Sequence, residues 1–150
     1  MNKAIASIFG IGFIKGGGTV AAIVTCAFIY LLWLQPWFNS PVYLLLITIF
    51  ITVLGIYTGN KVEADWGKDS YRVVIDEVAG MLVTMLFVPV NLYFLLAGLV
   101  LFRFFDIVKP FYIRRMEALP AGTGVMMDDV LAGVYGNIVL QVIVFVSARF

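Results

Sequence analysis

Five long apolar runs occupy most of this 150-residue chain, and they restrict its possible folds more than any other feature. Hydrophobic residues make up 63% of the sequence and charged residues only 13%, a balance typical of proteins that lie in lipid. The sequence therefore predicts a single all-α domain, residues 1–150, built as a polytopic integral membrane helical bundle of about five spans. The predicted spans cover residues 20–34, 42–57, 73–88, 92–108 and 126–148.

The N-terminal apolar run, residues 4–14, is shorter than these five. No small-residue cleavage site precedes Lys15 and a longer apolar run follows, so we interpret this segment as an interfacial or re-entrant half-helix rather than a secretory signal. Three glycines and Thr19 come next. They predict a turn in which Thr19 caps a helix starting near Val20, with backbone N–H groups directed at an anion near Gly18. A plain hinge at the membrane surface is the alternative interpretation.

Charges are distributed unevenly among the connections. The connections at residues 60–72 and 109–125 carry many charged residues, whereas the turns at residues 35–41 and 89–91 carry none. By the positive-inside rule, the N-terminus and both charged connections are expected on the cytoplasmic side. All nine acidic residues would then lie on that side as well.

Five of these acids stand inside apolar runs or at their ends. Acids in such positions are energetically costly, and carboxylates gathered at one depth repel one another unless they are protonated or bridged by a cation. Sites built only from carboxylates favour magnesium, calcium or manganese. The alternative for a single acid is a structural ion pair with Arg72 or Arg103. The five acids are Asp76, Glu77, Asp106, Asp128 and Asp129.

A cationic face is predicted just before Pro110. Arg103, Asp106 and Lys109 recur at every third position, so they lie along one face of a helix that the proline ends. Two cations with one acid between them suit an anionic, phosphate-bearing ligand that is shared with a metal ion.

Small and polar residues in the spans predict close helix packing. Ala79-Gly80 and Ala132-Gly133 each follow an acidic pair and would let neighbouring backbones approach the acids. Asn137 and Gln141, four residues apart, are expected to form interhelical hydrogen bonds.

Composition also excludes several kinds of function. The chain has no histidine, which rules out Ser-His-Asp triads, phosphohistidine chemistry and histidine-ligated zinc. A formal net charge of +1 gives no field that would attract nucleic acid. Cys26 is the one cysteine, and we interpret it as a small buried hydrophobic residue.

Three sequence blocks together resemble the signature blocks of the phosphatidylglycerophosphatase A family. They are residues 74–81, 102–110 and 124–133, and their order and spacing also match; Asp69 fits the pattern too. The N-terminal region departs from the family because Lys15 to Gly17 replace expected prolines. The resemblance implies a magnesium-dependent phosphatase of the bacterial inner membrane. Such an enzyme converts phosphatidylglycerophosphate, a membrane phospholipid, into phosphatidylglycerol at the cytoplasmic face.

The resemblance and the residue chemistry together suggest roles for the candidate site residues. Asp106 would orient Arg103, bind metal or act on the nucleophile, which is either water or a carboxylate. The expected Mg²⁺ ligands, direct or through water, are Asp76, Glu77, Asp128 and Asp129. The expected substrate contacts are Arg103 and Lys109, with Lys15, Gly18 and Thr19 as further ones.

Two other functions are compatible with acids in membrane spans. A small transporter or channel would place its acids near the midplane, often in repeated halves, and the sequence shows neither pattern. A transferase acting on CDP-linked lipids would carry an Asp-Gly-x-x-Ala-Arg pattern, which is absent. The sequence leaves the oligomeric state open.

Overall fold

The computed structural model describes residues 1–36, 38, 40–68 and 70–149, and these residues form helices, turns and irregular segments without any strand. The prediction of an all-α fold is therefore confirmed. The helices are α1 (Asn2–Ala6), α2 (Gly17–Trp33), α3 (Pro41–Trp66), α4 (Ile75–Thr84), α5 (Leu92–Val108), α6 (Ile113–Met116) and α7 (Ala121–Ser147), with a 3-10 turn at Ile11–Phe13.

Among the described residues, two helices are both long and apolar enough to cross a membrane. These are α3, with 26 residues, and α7, with 27 residues. Only 28% of the most apolar segment of α3 and 22% of that of α7 are buried within the protein. Helix α2 is also apolar but has only 17 residues. The two long helices are consistent with a membrane protein.

Helices α3 and α7 both extend into connections that were expected to be loops. Helix α3 continues through residue 66, whereas its predicted span ends at residue 57. Helix α7 begins at Ala121, five positions before the predicted start at Met126. The two extensions stabilise each other because the Asn60 side-chain oxygen accepts a hydrogen bond of 2.8 Å from the Gly122 backbone N–H.

Helix α4 is much shorter than the apolar run that contains it. Its ten residues rise about 15 Å, roughly half of a bilayer core. It ends at Thr84, and the chain continues irregularly. The Asn137 side chain donates to the carbonyls of Thr84 and Leu86 at 2.9 and 2.8 Å, and Gln141 donates to those of Leu86 and Phe87 at 3.2 Å. The prediction of interhelical hydrogen bonds is confirmed for Asn137, which binds Thr84 of α4, whereas Gln141 binds the turn that follows α4. Together they satisfy carbonyls at and after the end of the helix.

The N-terminal segment does not form the single half-helix that was expected over residues 4–14. Helix α1 stops at Ala6 because Ile8 and Phe9 adopt positive φ angles of 45° and 52°. The segment is fixed to the rest of the protein by a 2.9 Å hydrogen bond from the Val74 N–H to the Ala6 carbonyl. It also packs closely at Gly12, where a Cβ atom would lie 2.1 Å from the Arg72 carbonyl oxygen.

Helices α4 and α7 pack against each other through glycine. A Cβ atom on Gly133 would lie 2.4 Å from the Gly80 carbonyl oxygen, and one on Gly80 would lie 2.7 Å from the Asp129 carbonyl oxygen. The ring of Phe102, on α5, covers Gly80 from another side. The expected close approach of backbones at Ala79-Gly80 and Ala132-Gly133 is confirmed.

The buried core follows these contacts. The main cluster includes Met81, Phe102, Ala132 and Leu140, which come from α4, α5 and α7. A second cluster joins α1 and α3 to α4 and α7, and Met126 lies in it without solvent exposure. The acid-bearing helices α4 and α7 therefore contribute to both clusters.

The Gly133 contact can be tested by substitution. We expect Gly133→Ala to destabilise the protein by about 1–2 kcal/mol, because overpacking against the Gly80 carbonyl exceeds the gain in helix propensity. The measurement is thermal unfolding in detergent by circular dichroism. Gly98→Ala is the matched control, since its Cβ would meet mainly the flexible end of Met85 at 3.0 Å, and its stability should change by less than about 1 kcal/mol. Equal losses in both variants would contradict this account.

Candidate active site

A cavity of about 580 Å³ lies where the N-terminal end of α2, the start of α4, the end of α5 and the first third of α7 meet. Half of its lining residues are charged, and the three glycines at residues 16–18 also line it. Its lining comprises Phe13, Ile14, Lys15, Gly16, Gly17, Gly18, Ser70, Tyr71, Val73, Asp76, Glu77, Arg103, Asp106, Lys109, Asp128 and Asp129.

Three of the acids form a compact cluster. Asp76, Glu77 and Asp129 can each offer one carboxylate oxygen such that the three oxygens lie within 4.8 Å of one another. Asp76 is 8% and Asp129 4% exposed, so water screens their charges little. The second oxygen of Glu77 (Oε2) is buried and has no hydrogen-bond partner among the described residues. Three oxygen donors with one unused lone-pair site match the preferences of a hard divalent cation such as Mg²⁺.

Local structure explains why these acids meet. Asp76 and Glu77 occupy the first turn of α4, where the helix dipole favours negative charge. Asp129 stands one turn before Gly133 on α7, and the glycine contact brings that turn against α4. Gly18 completes the arrangement, because any Cβ there would lie 1.9 Å from Glu77 Oε1. The start of α2 can therefore lie directly against the Glu77 carboxylate.

Arg103 reaches the same cavity from α5. Its Nη1 atom lies 2.5 Å from Asp106 Oδ2 and 3.8 Å from Glu77 Oε1. The close approach to Asp106 is an ion pair whose angle does not make a hydrogen bond. Nη1 and Nε are consequently buried N–H groups without an acceptor among the described residues. Buried guanidinium donors left open in this way are suited to bind an oxyanion.

Lys109 follows α5 and is held by two acids. Its Nζ atom donates hydrogen bonds to Asp128 Oδ2 at 2.6 Å and to Glu117 Oε1 at 2.8 Å. Burial lowers the pKa of Lys109, but the hydrogen bonds to Asp128 and Glu117 outweigh it and raise the pKa above its ordinary value. The amine therefore stays protonated throughout the physiological range.

The structure brings nine of the ten predicted site residues into this cavity. The exception is Thr19, which is exposed and does not line it. The prediction that Thr19 caps α2 is wrong: the helix begins at Gly17, and the cap is Gly16 with a φ of 78°. Glycine reaches that angle without strain, so the helix can start earlier than the capping pattern indicates. Asp69 lies outside the described residues.

Sequence reasoning missed two contributors to the site. Glu117 was counted only as a loop charge, although it is the one acid in the connection that holds Lys109. Arg72 does not line the cavity itself, but its guanidinium carbon is 5.8 Å from the Phe13 ring and 5.3 Å from the Tyr71 ring, and both of these aromatic residues line it. The aromatic residues next to Arg72 and Lys15 were the available signal for this second contact.

The fold and the site together define an all-helical protein, of a composition suited to membranes, with a charged cavity in which three clustered carboxylates lie beside a buried guanidinium group. The family model described as Phosphatidylglycerophosphatase A matches residues 4–144, and the chain belongs to this family. No solved structure matches it.

Three curated relatives are similar over most of the chain. A Bacteroides thetaiotaomicron protein named "Putative phosphatidylinositol-3-phosphatase" is 42% identical over 92% of this chain and 90% of its own length. A Haemophilus influenzae phosphatidylglycerophosphatase A is 42% identical over 64% of this chain and 61% of its own length. The Escherichia coli phosphatidylglycerophosphatase A is 34% identical over 78% of this chain and 67% of its own length.

Proposed function

We propose that this protein hydrolyses the terminal phosphate of phosphatidylglycerophosphate, giving phosphatidylglycerol and inorganic phosphate. One observation carries the proposal: the Asp76, Glu77 and Asp129 carboxylates share one cavity with Arg103, whose buried Nε–H and Nη1–H groups make no hydrogen bond with the described residues. A phosphomonoester needs both features, because its negative charge must be neutralised before a nucleophile can attack phosphorus. Family membership supports the same reaction.

Arg103 and Lys109 bind the phosphate in this proposal. Arg103 offers Nε–H and Nη1–H donors that make no hydrogen bond with the described residues, and its guanidinium pairs with Asp106 at the cavity wall. Lys109 adds a fixed positive charge, positioned by Asp128 and Glu117. The start of α2 contributes backbone N–H groups near Gly18, where the helix dipole favours an anion.

The carboxylate cluster is the proposed magnesium site. Asp76, Glu77 and Asp129 would hold the ion, whose bound charge would polarise the phosphate and lower the cost of negative charge in the transition state. Asp128 was also predicted as a ligand. Its 2.6 Å contact with Lys109 favours a positioning role instead, unless it acts through water.

Water is the nucleophile that we favour. Asp106 is committed to Arg103 and Asp128 to Lys109, while the three remaining acids of the cavity form the metal cluster. In the balanced step, the water oxygen bonds to phosphorus, the bond from phosphorus to the glycerol oxygen breaks, and that oxygen gains a proton. The proton that the water loses balances the one that the glycerol oxygen gains.

The proposed membrane arrangement retains five crossings, with the active site at the cytoplasmic face of the bacterial inner membrane. Helices α2, α3, α5 and α7 form four of them. The third crossing combines the ten-residue α4 with the irregular residues 85–91. Irregular backbone at membrane depth requires hydrogen-bond partners from the protein, and Asn137 and Gln141 provide them.

A phosphorylated inositol lipid is a second candidate substrate. The observation that favours it is the Bacteroides relative, which matches a larger share of this chain than either phosphatidylglycerophosphatase. The charged pocket recognises the phosphomonoester that both lipids share. Phosphate release from phosphatidylglycerophosphate and from phosphatidylinositol 3-phosphate, measured side by side with and without magnesium, decides between them. Uptake into sealed vesicles without phosphate release would instead support a transporter.

The metal site predicts a specific combination of effects for Asp129→Asn. This near-isosteric change removes one charge, so we expect magnesium affinity to fall by at least about tenfold and turnover to be nearly lost. Without magnesium, the melting temperature should hold or rise because carboxylate repulsion is relieved, and the gain on adding magnesium should shrink. Asp65→Asn, which alters an exposed pair with Lys3, is the control. A full magnesium-induced shift in Asp129→Asn would show that Asp129 is not a ligand.

The oxyanion role of Arg103 predicts the outcome of Arg103→Lys. Lysine keeps the charge but loses the planar pair of donors, so kcat/KM should fall by about a hundredfold while the melting temperature stays near that of the wild type. Arg149→Lys, at the far end of α7, is the matched control. Near-normal turnover of Arg103→Lys would make this face structural and move the phosphate site towards Lys15 and the start of α2.

The membrane arrangement predicts which positions an impermeant thiol reagent reaches in intact cells. In a Cys26→Ala background, Gln35→Cys should react from outside, whereas Lys68→Cys should react only after the membrane is permeabilised. Both native side chains are exposed, so burial does not confound the comparison. Reaction of Lys68→Cys in intact cells would reverse the orientation and contradict a cytoplasmic active site.

A further inference from the structure

A second cavity, of about 420 Å³, lies in the seam between the end of α5 and the middle of α7. It contains no charged side chain among its lining residues, in contrast to the active-site cavity. We call it the seam groove. Its lining is Phe105, Phe111, Tyr112, Tyr135, Ile138 and Val139.

The seam groove lies along the same two helices as the active-site cavity, and the two have separate lining residues. The ion pair of Lys109 with Asp128 joins the end of α5 to α7 at the cavity wall. One turn earlier on α5 is Phe105, and two turns later on α7 is Tyr135; their rings meet edge to face with centroids 5.8 Å apart. By helix rise, the groove extends from about 6 Å to about 16 Å away from the ion pair, towards the apolar part of α7.

The turn after α5 builds the groove's outer wall. Lys109 and Phe111 both adopt positive φ angles, 46° and 54°, which side chains other than glycine rarely tolerate. This backbone places the Phe111 ring 6.2 Å from the Tyr135 ring, although Phe111 is 82% exposed. The backbone strain in this turn therefore lowers stability locally, and the aromatic ring that it positions adds little to the buried core.

Cationic residues stand at the polar end of this wall. Arg114 and Arg115 follow in α6, are exposed, and can contact anionic lipid headgroups; Arg115 also lies 4.7 Å from the Tyr112 ring. A charged end joined to an apolar channel is the pattern of a phospholipid.

We propose that the seam groove holds one acyl chain of the lipid substrate, and this inference rests on the proposed lipid phosphatase function. Surrounding lipid is as apolar as the groove, so burying the chain there adds little affinity. The groove instead orients the substrate. A chain lying along Tyr135 brings its headgroup to the ion pair of Lys109 and Asp128, from which the terminal phosphate reaches Arg103.

Filling the groove tests the proposal. Val139→Trp should lower kcat/KM for a dioleoyl phosphatidylglycerophosphate by about tenfold, yet change that for a water-soluble dibutyryl analogue by less than about twofold, because only the long chain needs the groove. Val142→Trp is the matched control, since Val142 is 59% exposed on the same helix but does not line the groove. Phe111→Ala, which opens the wall at an exposed position, should give a smaller loss in the same direction.

The possible results distinguish failure of the acyl-chain proposal from failure of the proposed phosphatase function. Equal losses on both substrates, or equal effects of the two tryptophan variants, would overturn the acyl-chain proposal. If the wild type hydrolyses neither substrate, the proposed function fails, and the groove is judged by photo-crosslinking. A phosphatidylglycerophosphate carrying a mid-chain diazirine should then label Tyr135 and Phe111 preferentially. Labelling spread evenly over the apolar surface would overturn the proposal.

Discussion

The active-site cavity depends on the direct backbone contact between α4 and α7. Gly80 and Gly133 leave no room for a side chain between the two helices, and any Cβ at either position would overlap a carbonyl oxygen. This contact sets the distance between the first turn of α4 and the turn of α7 that carries Asp129. Larger residues there would separate the carboxylates, and the compact group of oxygen donors would be lost.

Placing these acids in an apolar protein is costly, and α5 supplies most of the compensation. Arg103 pairs with Asp106 and approaches Glu77, while Lys109 pairs with Asp128. An ion pair in such surroundings adds little net stability, because removing both charges from water consumes most of the attraction. The arrangement is therefore better explained by function than by stability. It keeps two cations beside the carboxylate cluster, and two buried Arg103 N–H groups make no hydrogen bond with the part of the chain that the structure describes.

The parts of this architecture that depend on local chemistry could be predicted from the sequence. Apolar runs predicted the helices, and the three-residue spacing of Arg103, Asp106 and Lys109 predicted the cationic face. The errors arose where distant contacts determine the backbone. Helix α3 continues past residue 57, where Asn60 binds the start of α7, and Gly18 lies within α2 rather than in a loop, packed against Glu77. No local pattern encodes either contact.

The early end of α4 gives the site its second geometrical constraint. Glycine contacts fix the distance between α4 and α7, but two smooth helices could still slide along each other. Ending α4 at Thr84 exposes carbonyls that Asn137 and Gln141 bind, and in apolar surroundings a mismatched slip would leave them unsatisfied. A slip of one turn, about 5.4 Å, would exceed the whole width of the carboxylate cluster. The polar contacts at the C-terminal end of α4 therefore fix the position of the helix along α7. They keep Asp76 and Glu77, at its N-terminal end, beside Asp129.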